Sequence, residues 1–138
     1  MPGNLPDAVM GIPVNAKASA LFFLEAARVD RRRNSDEVRD GKVFELAEYV
    51  IHYVDGQVAT IPIRSEVDVD DYSQENPKGL PGAQIGWTFK YPGSNVQAVA
   101  YVQQWNNPRP GVAIASVDLR YGAERVGVPV LLALTEGR

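Results

Sequence analysis

The pair Asp55-Gly56 stands between two runs of strand-forming residues, and it constrains the fold more than any other short segment. Residues 44–54 are rich in Tyr, Val and Ile, which favour β-strands. In residues 57–63, apolar side chains recur at every second position up to Ile63, as on the buried face of a strand. A strand, an Asp-Gly pair and a second strand predict a β-hairpin.

Short strand-like segments separated by Gly, Pro and Asn recur along the rest of the chain. Further strands are predicted at residues 10–14, 85–91, 96–105, 112–121 and 128–134. Pro13 restricts the first of them to a sheet edge, because proline has no N–H to donate. About eight closely spaced strands predict an all-β, jelly-roll sandwich. With 138 residues, one domain over residues 10–138 is expected after a tail or linker at residues 1–9.

Residues 16–29 fit either a helix or a strand. Asn15 is a suitable helix cap, and residues Ala18, Leu21 and Glu25 recur at helical spacing. Residues 21–24, however, form a compact apolar run that is typical of a buried strand. Propensity favours the helix, although periodicity does not separate the two in so short a segment.

Composition excludes several classes of function. The chain has 14 basic and 17 acidic residues and a net charge of −3, so no basic field is available for nucleic acid. The basic run at residues 31–33 is surrounded by acidic residues and is expected to be a solvated loop. With no cysteine, disulfides, thiolate metal sites and Cys nucleophiles are excluded. No apolar stretch predicts a membrane span, and residues 1–6 do not resemble a signal peptide.

Several patches, taken in order, are similar to one known kind of module. They are Gly11-Ile-Pro-Val14 with Lys17-Ala18, Leu21-Phe-Phe-Leu24, residues 49–56, Ile61-Pro-Ile63, residues 105–110, 114–118 and 131–135. Together they resemble a galactose-binding-like (discoidin-like) jelly-roll module, found near the C-terminus of bacterial polysaccharide-active and cell-surface proteins. The resemblance covers residues 10–135.

The resemblance carries expectations about structure and context. It implies an appended, non-catalytic domain located outside the cytoplasm, in an extracellular or periplasmic setting. It also implies a short turn at Asn15–Ser19 followed by a strand, in place of the helix. The family pattern often has His after the Leu-Phe-Phe-Leu patch, whereas this chain has Glu25, so a site at that position is not expected here.

Loop aromatics beside amides indicate a carbohydrate ligand. Sugars present apolar C–H faces ringed by hydroxyls, which suit a flat ring with polar groups at its rim. Loop ends on a rigid sandwich are a common place for such residues. The predicted ligand-binding residues are Tyr72, Trp87, Trp105, Asn106, Asn107 and Arg109. The alternative is that both tryptophans are buried and that the Asn-Pro turn is scaffolding; the core-like strand around Trp87 favours burial there.

The long polar segment at residues 65–82 concentrates acidic side chains. Asp68, Asp70 and Asp71 are candidate oxygen ligands for a structural calcium ion, although their spacing departs from the EF-hand pattern. A solvated acidic loop is the alternative. A small glycan hydrolase using these carboxylates is a third interpretation, but that chemistry needs two carboxyls placed across a cleft.

The single histidine, His52, does not suggest a hydrolase. It lies mid-strand, and no Gly-x-Ser-x-Gly motif supplies a nucleophile, so a packed or hydrogen-bonded histidine is expected. The sequence therefore predicts a non-catalytic accessory module that binds a polysaccharide or other glycan. The alternative is a structural or protein-interaction domain that packs on a partner domain or forms a homodimer. Neither hypothesis involves nucleic acid or a membrane.

Overall fold

The computed structural model describes residues 8–29, 45–122 and 127–137. It contains nine strands: β1 (Ala8–Ala16), β2 (Ala20–Val29), β3 (Glu45–Tyr53), β4 (Val58–Arg64), β5 (Ser73–Gln74), β6 (Gln84–Lys90), β7 (Gln97–Asn106), β8 (Ile114–Tyr121) and β9 (Gly127–Gly137). The described residues form no helix, and the predicted all-β sandwich is confirmed. The predicted solvated loop at residues 31–33 lies outside the described residues. Most of the predicted tail at residues 1–9 also lies outside them, but its last two residues are the first residues of β1.

The strands form two antiparallel sheets. Sheet 1 has the order β1-β8-β3-β4. In sheet 2, β2 lies between β9 and β7, and β6 pairs with the opposite side of β7. The two-residue β5 pairs with β7 on the side that faces β2, beyond the point where the pairing of β2 with β7 ends. The edge strands among the described residues are thus β1 and β4 in sheet 1, and β6 and β9 in sheet 2. No helix in the described part of the chain has the length and apolar composition to cross a bilayer.

The segment that propensity assigns to a helix is a strand. Side chains along β2 alternate between buried and partly buried, with Leu21, Phe23 and Ala27 in the core. The helical interpretation of residues 16–29 is therefore wrong. β2 is hydrogen-bonded to β7 on one side and to β9 on the other, and this central position in a sheet overrides local propensity. The turn that the resemblance implies at Asn15–Ser19 is shorter in the structure: Asn15 and Ala16 end β1, and only residues 17–19, with a bend at Ser19, separate β1 from β2.

The hydrophobic core lies between the two sheets. The rings of Phe23 in sheet 2 and Tyr49 in sheet 1 stack with centroids 4.0 Å apart. Around them pack further buried side chains from both sheets, including Leu21, Leu46, Ile51, Ile63, Val99, Tyr101, Ile114 and Leu119. Burial of this many large apolar groups is the main source of stability for a domain of this size.

The hairpin predicted at Asp55-Gly56 is confirmed. The Tyr53 amide donates to the Gln57 carbonyl at 2.9 Å, and the Gly56 amide donates to the Tyr53 carbonyl at 3.0 Å. Gly56 has a φ of 90°, a conformation that glycine adopts without steric cost. The Asp55 carboxylate accepts from the Gln57 amide at 3.1 Å, which further fixes the turn.

The long polar segment is tied into sheet 2. The Tyr72 amide donates to the Ala27 carbonyl at 2.7 Å, and the Tyr72 carbonyl accepts from the Val99 amide at 2.8 Å. Tyr72 thus lies between β2 and β7, directly before β5. The sequence predicts a loop here because two residues are too few to give a strand pattern.

Candidate functional site

Three aromatic side chains lie next to one another along one face of the molecule. Trp87 and Phe89 are 51% and 49% exposed, and Tyr91 is exposed directly after β6. The rings of Trp87 and Phe89 are nearly parallel, with centroids 6.3 Å apart. Tyr91 meets Phe89 edge to face at 5.8 Å. We call Trp87, Phe89 and Tyr91 the aromatic stripe.

The pairing of β6 with β7 determines which way the stripe points. Trp87 lies opposite Ala100 and Phe89 lies opposite Ala98. Val99, between these alanines, is buried in the core, and successive residues of a strand face opposite sides. Ala98 and Ala100, and with them the aromatic stripe, therefore lie on the outer face of sheet 2, away from the core.

β6 is exposed on its inward face as well as on the outer face that carries the aromatic stripe. All seven residues of β6 are exposed, including those that face inward. β6 therefore extends beyond the edge of sheet 1 and is covered on neither face by the described residues. At Gly86, an added Cβ would approach a Val102 methyl carbon to 2.6 Å and a Leu24 methyl carbon to 2.8 Å. Glycine thus allows β6 to lie close against its neighbours on the outer face.

Trp87, the first residue of the aromatic stripe, lines a groove of about 510 Å³ on the outer face of sheet 2. Trp87 stands on one side, and Val128, Val130 and Leu132 of β9 stand on the other. The floor consists of small side chains from the two central strands, namely Ala26, Ala98 and Ala100. Small residues between larger ones create the depression.

Tyr72 and Arg28 complete the lining of the groove. Tyr72 is 45% exposed, and its backbone bonds to both neighbouring strands hold it in the middle of the face. Of the described residues that line the groove, Arg28 alone carries a charge. The groove thus combines flat rings and aliphatic side chains with three side chains that carry hydrogen-bonding groups, the phenol of Tyr72, the guanidinium of Arg28 and the indole of Trp87.

Two of the six predicted ligand-binding residues, Tyr72 and Trp87, come together in this groove, and the other four do not line it. The burial expected for Trp87 is wrong, because its side chain points to the outer face of sheet 2, away from the core. Trp105 is only partly buried and packs against the core cluster. Asn106 is exposed and accepts a bond from Gln104 at 3.0 Å.

Asn107 and Arg109 belong to a hydrogen-bonded cluster at one end of the sandwich. The buried Asn107 accepts from the Tyr53 hydroxyl at 2.6 Å and from the Arg109 amide at 2.9 Å, and it donates to the Ala18 carbonyl at 2.8 Å. The Arg109 guanidinium lies 4.4 Å from the Tyr53 ring centroid and pairs with Asp55. These contacts link the turn between β3 and β4 to the β1–β2 and β7–β8 connections. Asn107 and Arg109 therefore both stabilise the fold.

Two acidic side chains of the long segment, Asp68 and Asp70, are hydrogen-bonded within the protein. The Asp68 carboxylate is buried, and its Oδ2 accepts from the Arg64 backbone amide at 2.9 Å and from Arg64 Nε at 3.0 Å. Asp70 accepts from the Asp71 amide at 2.7 Å. Within residues 8–29, 45–122 and 127–137, no group of three His, Cys, Asp or Glu side chains is placed to hold a metal ion. The calcium site at Asp68, Asp70 and Asp71 stays a prediction.

On the opposite side of the sandwich, the His52 side chain lies within hydrogen-bonding distance of Asp118. Its Nε2 lies 2.7 Å from Asp118 Oδ2, and the Gly11 amide donates to Asp118 Oδ1 at 2.7 Å. Burial acts to raise the pKa of Asp118, but these two partners outweigh it and hold the pKa below its usual value. The pair links β1, β3 and β8, which is the structural use expected of a mid-strand histidine.

A buried carboxyl at Glu25 is the main feature that the sequence does not reveal. Its side chain is 0% exposed, and its Oε2 accepts from the Tyr49 hydroxyl at 2.5 Å. Its Oε1 has no hydrogen-bond partner among the described residues. Burial raises the pKa of Glu25 to about 8; the Tyr49 hydrogen bond opposes this shift and the charge of Asp68 adds to it.

Comparisons with known proteins assign no family to the chain. No protein-family model matches the sequence, and no curated protein matches it.

Proposed function

We propose that this protein is a non-catalytic module that binds a glycan in the groove on the outer face of sheet 2. One observation carries the proposal: two exposed rings, Trp87 and Tyr72, line a groove with an alanine floor, and two further exposed rings, Phe89 and Tyr91, continue in a row from Trp87. Burying large rings is strongly favourable, so a row of exposed rings on a regular strand indicates a binding surface.

The chemistry of the groove suits a sugar chain. The C–H face of a pyranose ring packs on a flat aromatic side chain, and its hydroxyls need donors and acceptors at the rim. Trp87 and Tyr72 supply rings, and Arg28 and the Tyr72 hydroxyl supply polar groups. The resemblance to modules of polysaccharide-active proteins supports a non-catalytic accessory role and a location outside the cytoplasm.

Replacing Trp87 with alanine is expected to weaken glycan binding at least about tenfold, the equivalent of roughly 1.4 kcal/mol. Affinity electrophoresis through gels containing plant and algal polysaccharides measures the retardation of the wild type and the variant. The matched control is Trp105→Phe, because Trp105 does not line the groove; this variant is expected to be retarded like the wild type. Equal retardation of Trp87→Ala and the wild type would place the binding site elsewhere.

The aliphatic side of the groove favours a second candidate, a docking surface for another protein domain. Val130 and Leu132 are 45% and 56% exposed and offer no hydrogen bonds to a sugar. Aromatic and aliphatic residues together are typical of the centre of a protein interface. A folded protein that is retarded by none of the polysaccharides would favour this candidate over the glycan.

A further inference from the structure

The four edge strands of the sandwich differ in how they are protected. An unpaired sheet edge invites pairing with another chain, and proline within the strand is a common means of preventing it. β1 contains Pro13, β4 contains Pro62 and β9 contains Pro129. β6 contains no proline, and its one charged residue, Lys90, stands at its end. Among the described strands, β6 is therefore the edge that is least protected.

A partner strand would also bury exposed side chains of β6. The residues of β6 are exposed on both faces as well as along the edge, and they include Ile85, Trp87 and Phe89. A long, apolar edge strand left in this state is an aggregation hazard. A neighbouring strand would satisfy its backbone groups and cover its side chains.

The register of β6 limits which part of the edge can pair regularly. A register shift at Gly86 interrupts the ladder between Ile85 and Trp87, and Tyr91 continues the backbone pairing by donating to the Val96 carbonyl at 3.2 Å. The regular edge is thus Trp87–Tyr91, with Phe89 at its centre. The aromatic side chains occupy alternate positions of this segment, and all three point outward.

We propose that a second copy of this chain pairs with β6 in antiparallel fashion, with the two-fold axis at Phe89. This register places Trp87 opposite Tyr91 of the other copy and Phe89 opposite its own equivalent. Aromatic cross-strand pairs of this kind stabilise antiparallel sheets. Thr88 lies opposite Lys90 of the other copy, so no like charges face each other. The two aromatic stripes then form one continuous platform on the outer face of the joined sheets.

The register can be tested through the charge at position 88. Thr88→Lys places two lysines opposite each other at both symmetry-related positions, and it is expected to weaken the dimer about tenfold. Thr88→Glu places an acid opposite Lys90 and is expected to strengthen the dimer. The matched control is Thr60→Lys, on the proline-containing edge strand β4, which is expected to have no effect.

Sedimentation velocity over a series of protein concentrations measures the dimer dissociation constant of the wild type and the three variants. The proposal is supported by a wild-type dimer that Thr88→Lys weakens and Thr88→Glu strengthens. It is overturned by a wild type that stays monomeric at every concentration, or by a dimer that responds equally to the lysines at positions 88 and 60. Weakening by both Thr88→Glu and Thr88→Lys also contradicts it, because the Phe89 register requires opposite responses.

Discussion

Raising the pH from about 5 towards 8 is expected to lower the free energy of unfolding, by on the order of 1 kcal/mol per pH unit in the middle of this window. The cause is Glu25, whose pKa is about 8 in the folded protein against 4.5 in an exposed glutamate. Between these values the folded protein holds a proton that the unfolded chain has lost. Unfolding therefore releases a proton, and a higher pH favours it.

Glu25→Gln is expected to remove this dependence and to be more stable than the wild type at pH 8, since an uncharged amide of the same shape replaces the buried acid. Urea titrations at several pH values measure the free energy for both proteins. The control is Glu136→Gln, an exposed position near the end of β9, which should retain the wild-type slope. A wild-type stability that is flat or rises across the window would contradict the assignment of a raised pKa to Glu25.

Two other ionisable groups, Tyr49 and Asp68, act on the pKa of Glu25. Tyr49 of β3 donates to the Glu25 carboxyl, and Asp68 of the long segment adds a negative charge nearby. The pKa of the Tyr49 hydroxyl is itself raised, first by burial and then by the charge of Glu25. The tyrosine thus stays protonated over the whole window and contributes no slope of its own.

Asn107→Ala is expected to destabilise the protein by about 3 kcal/mol, because it leaves the Tyr53 hydroxyl, the Ala18 carbonyl and the Arg109 amide without their partner. Each of these groups would lose a hydrogen bond in a buried or partly buried position. Thermal and urea denaturation measure the loss, and glycan affinity at a temperature where the variant is folded should equal that of the wild type.

The neighbouring Asn106 provides the matched control for this variant. It is exposed, and its contact with Gln104 is also exposed, so Asn106→Ala is expected to change stability by no more than about 0.5 kcal/mol. If Asn107→Ala proves as stable as Asn106→Ala and instead loses glycan affinity, Asn107 is a ligand-binding residue and not a structural one.

The fold was predictable because its signals are local or periodic. The hairpin at Asp55-Gly56 depends on turn residues that are adjacent in the sequence. Along β7, the alternation of side chains indicates which residues lie on each face of the strand. β2 was not predictable from propensity, because its strand conformation depends on β7 and β9, which are distant in sequence. The structure has, at Ala20–Val29, the strand that the apolar run at residues 21–24 indicates as the alternative to a helix.

The candidate site was predictable only in part, since exposure depends on how strands are arranged. The composition of the strand around Trp87 resembles that of a core strand, and only the pairing of β6 with β7 shows that Trp87 faces outward. The reverse holds for Trp105, whose loop-end position indicates exposure but whose ring packs against the core. The groove also joins Tyr72 to β9, and no spacing in the sequence relates those two regions.

The two tryptophans offer the most direct test of the proposed site. Each indole N–H gives its own cross-peak in a ¹H–¹⁵N correlation spectrum, and Trp87→Phe identifies which is which. Titration with a polysaccharide fragment that retards the protein in affinity gels is expected to shift the Trp87 peak progressively and to leave the Trp105 peak in place. A shift confined to Trp105 would contradict binding in the groove and would place the ligand at the loop end beside Asn106.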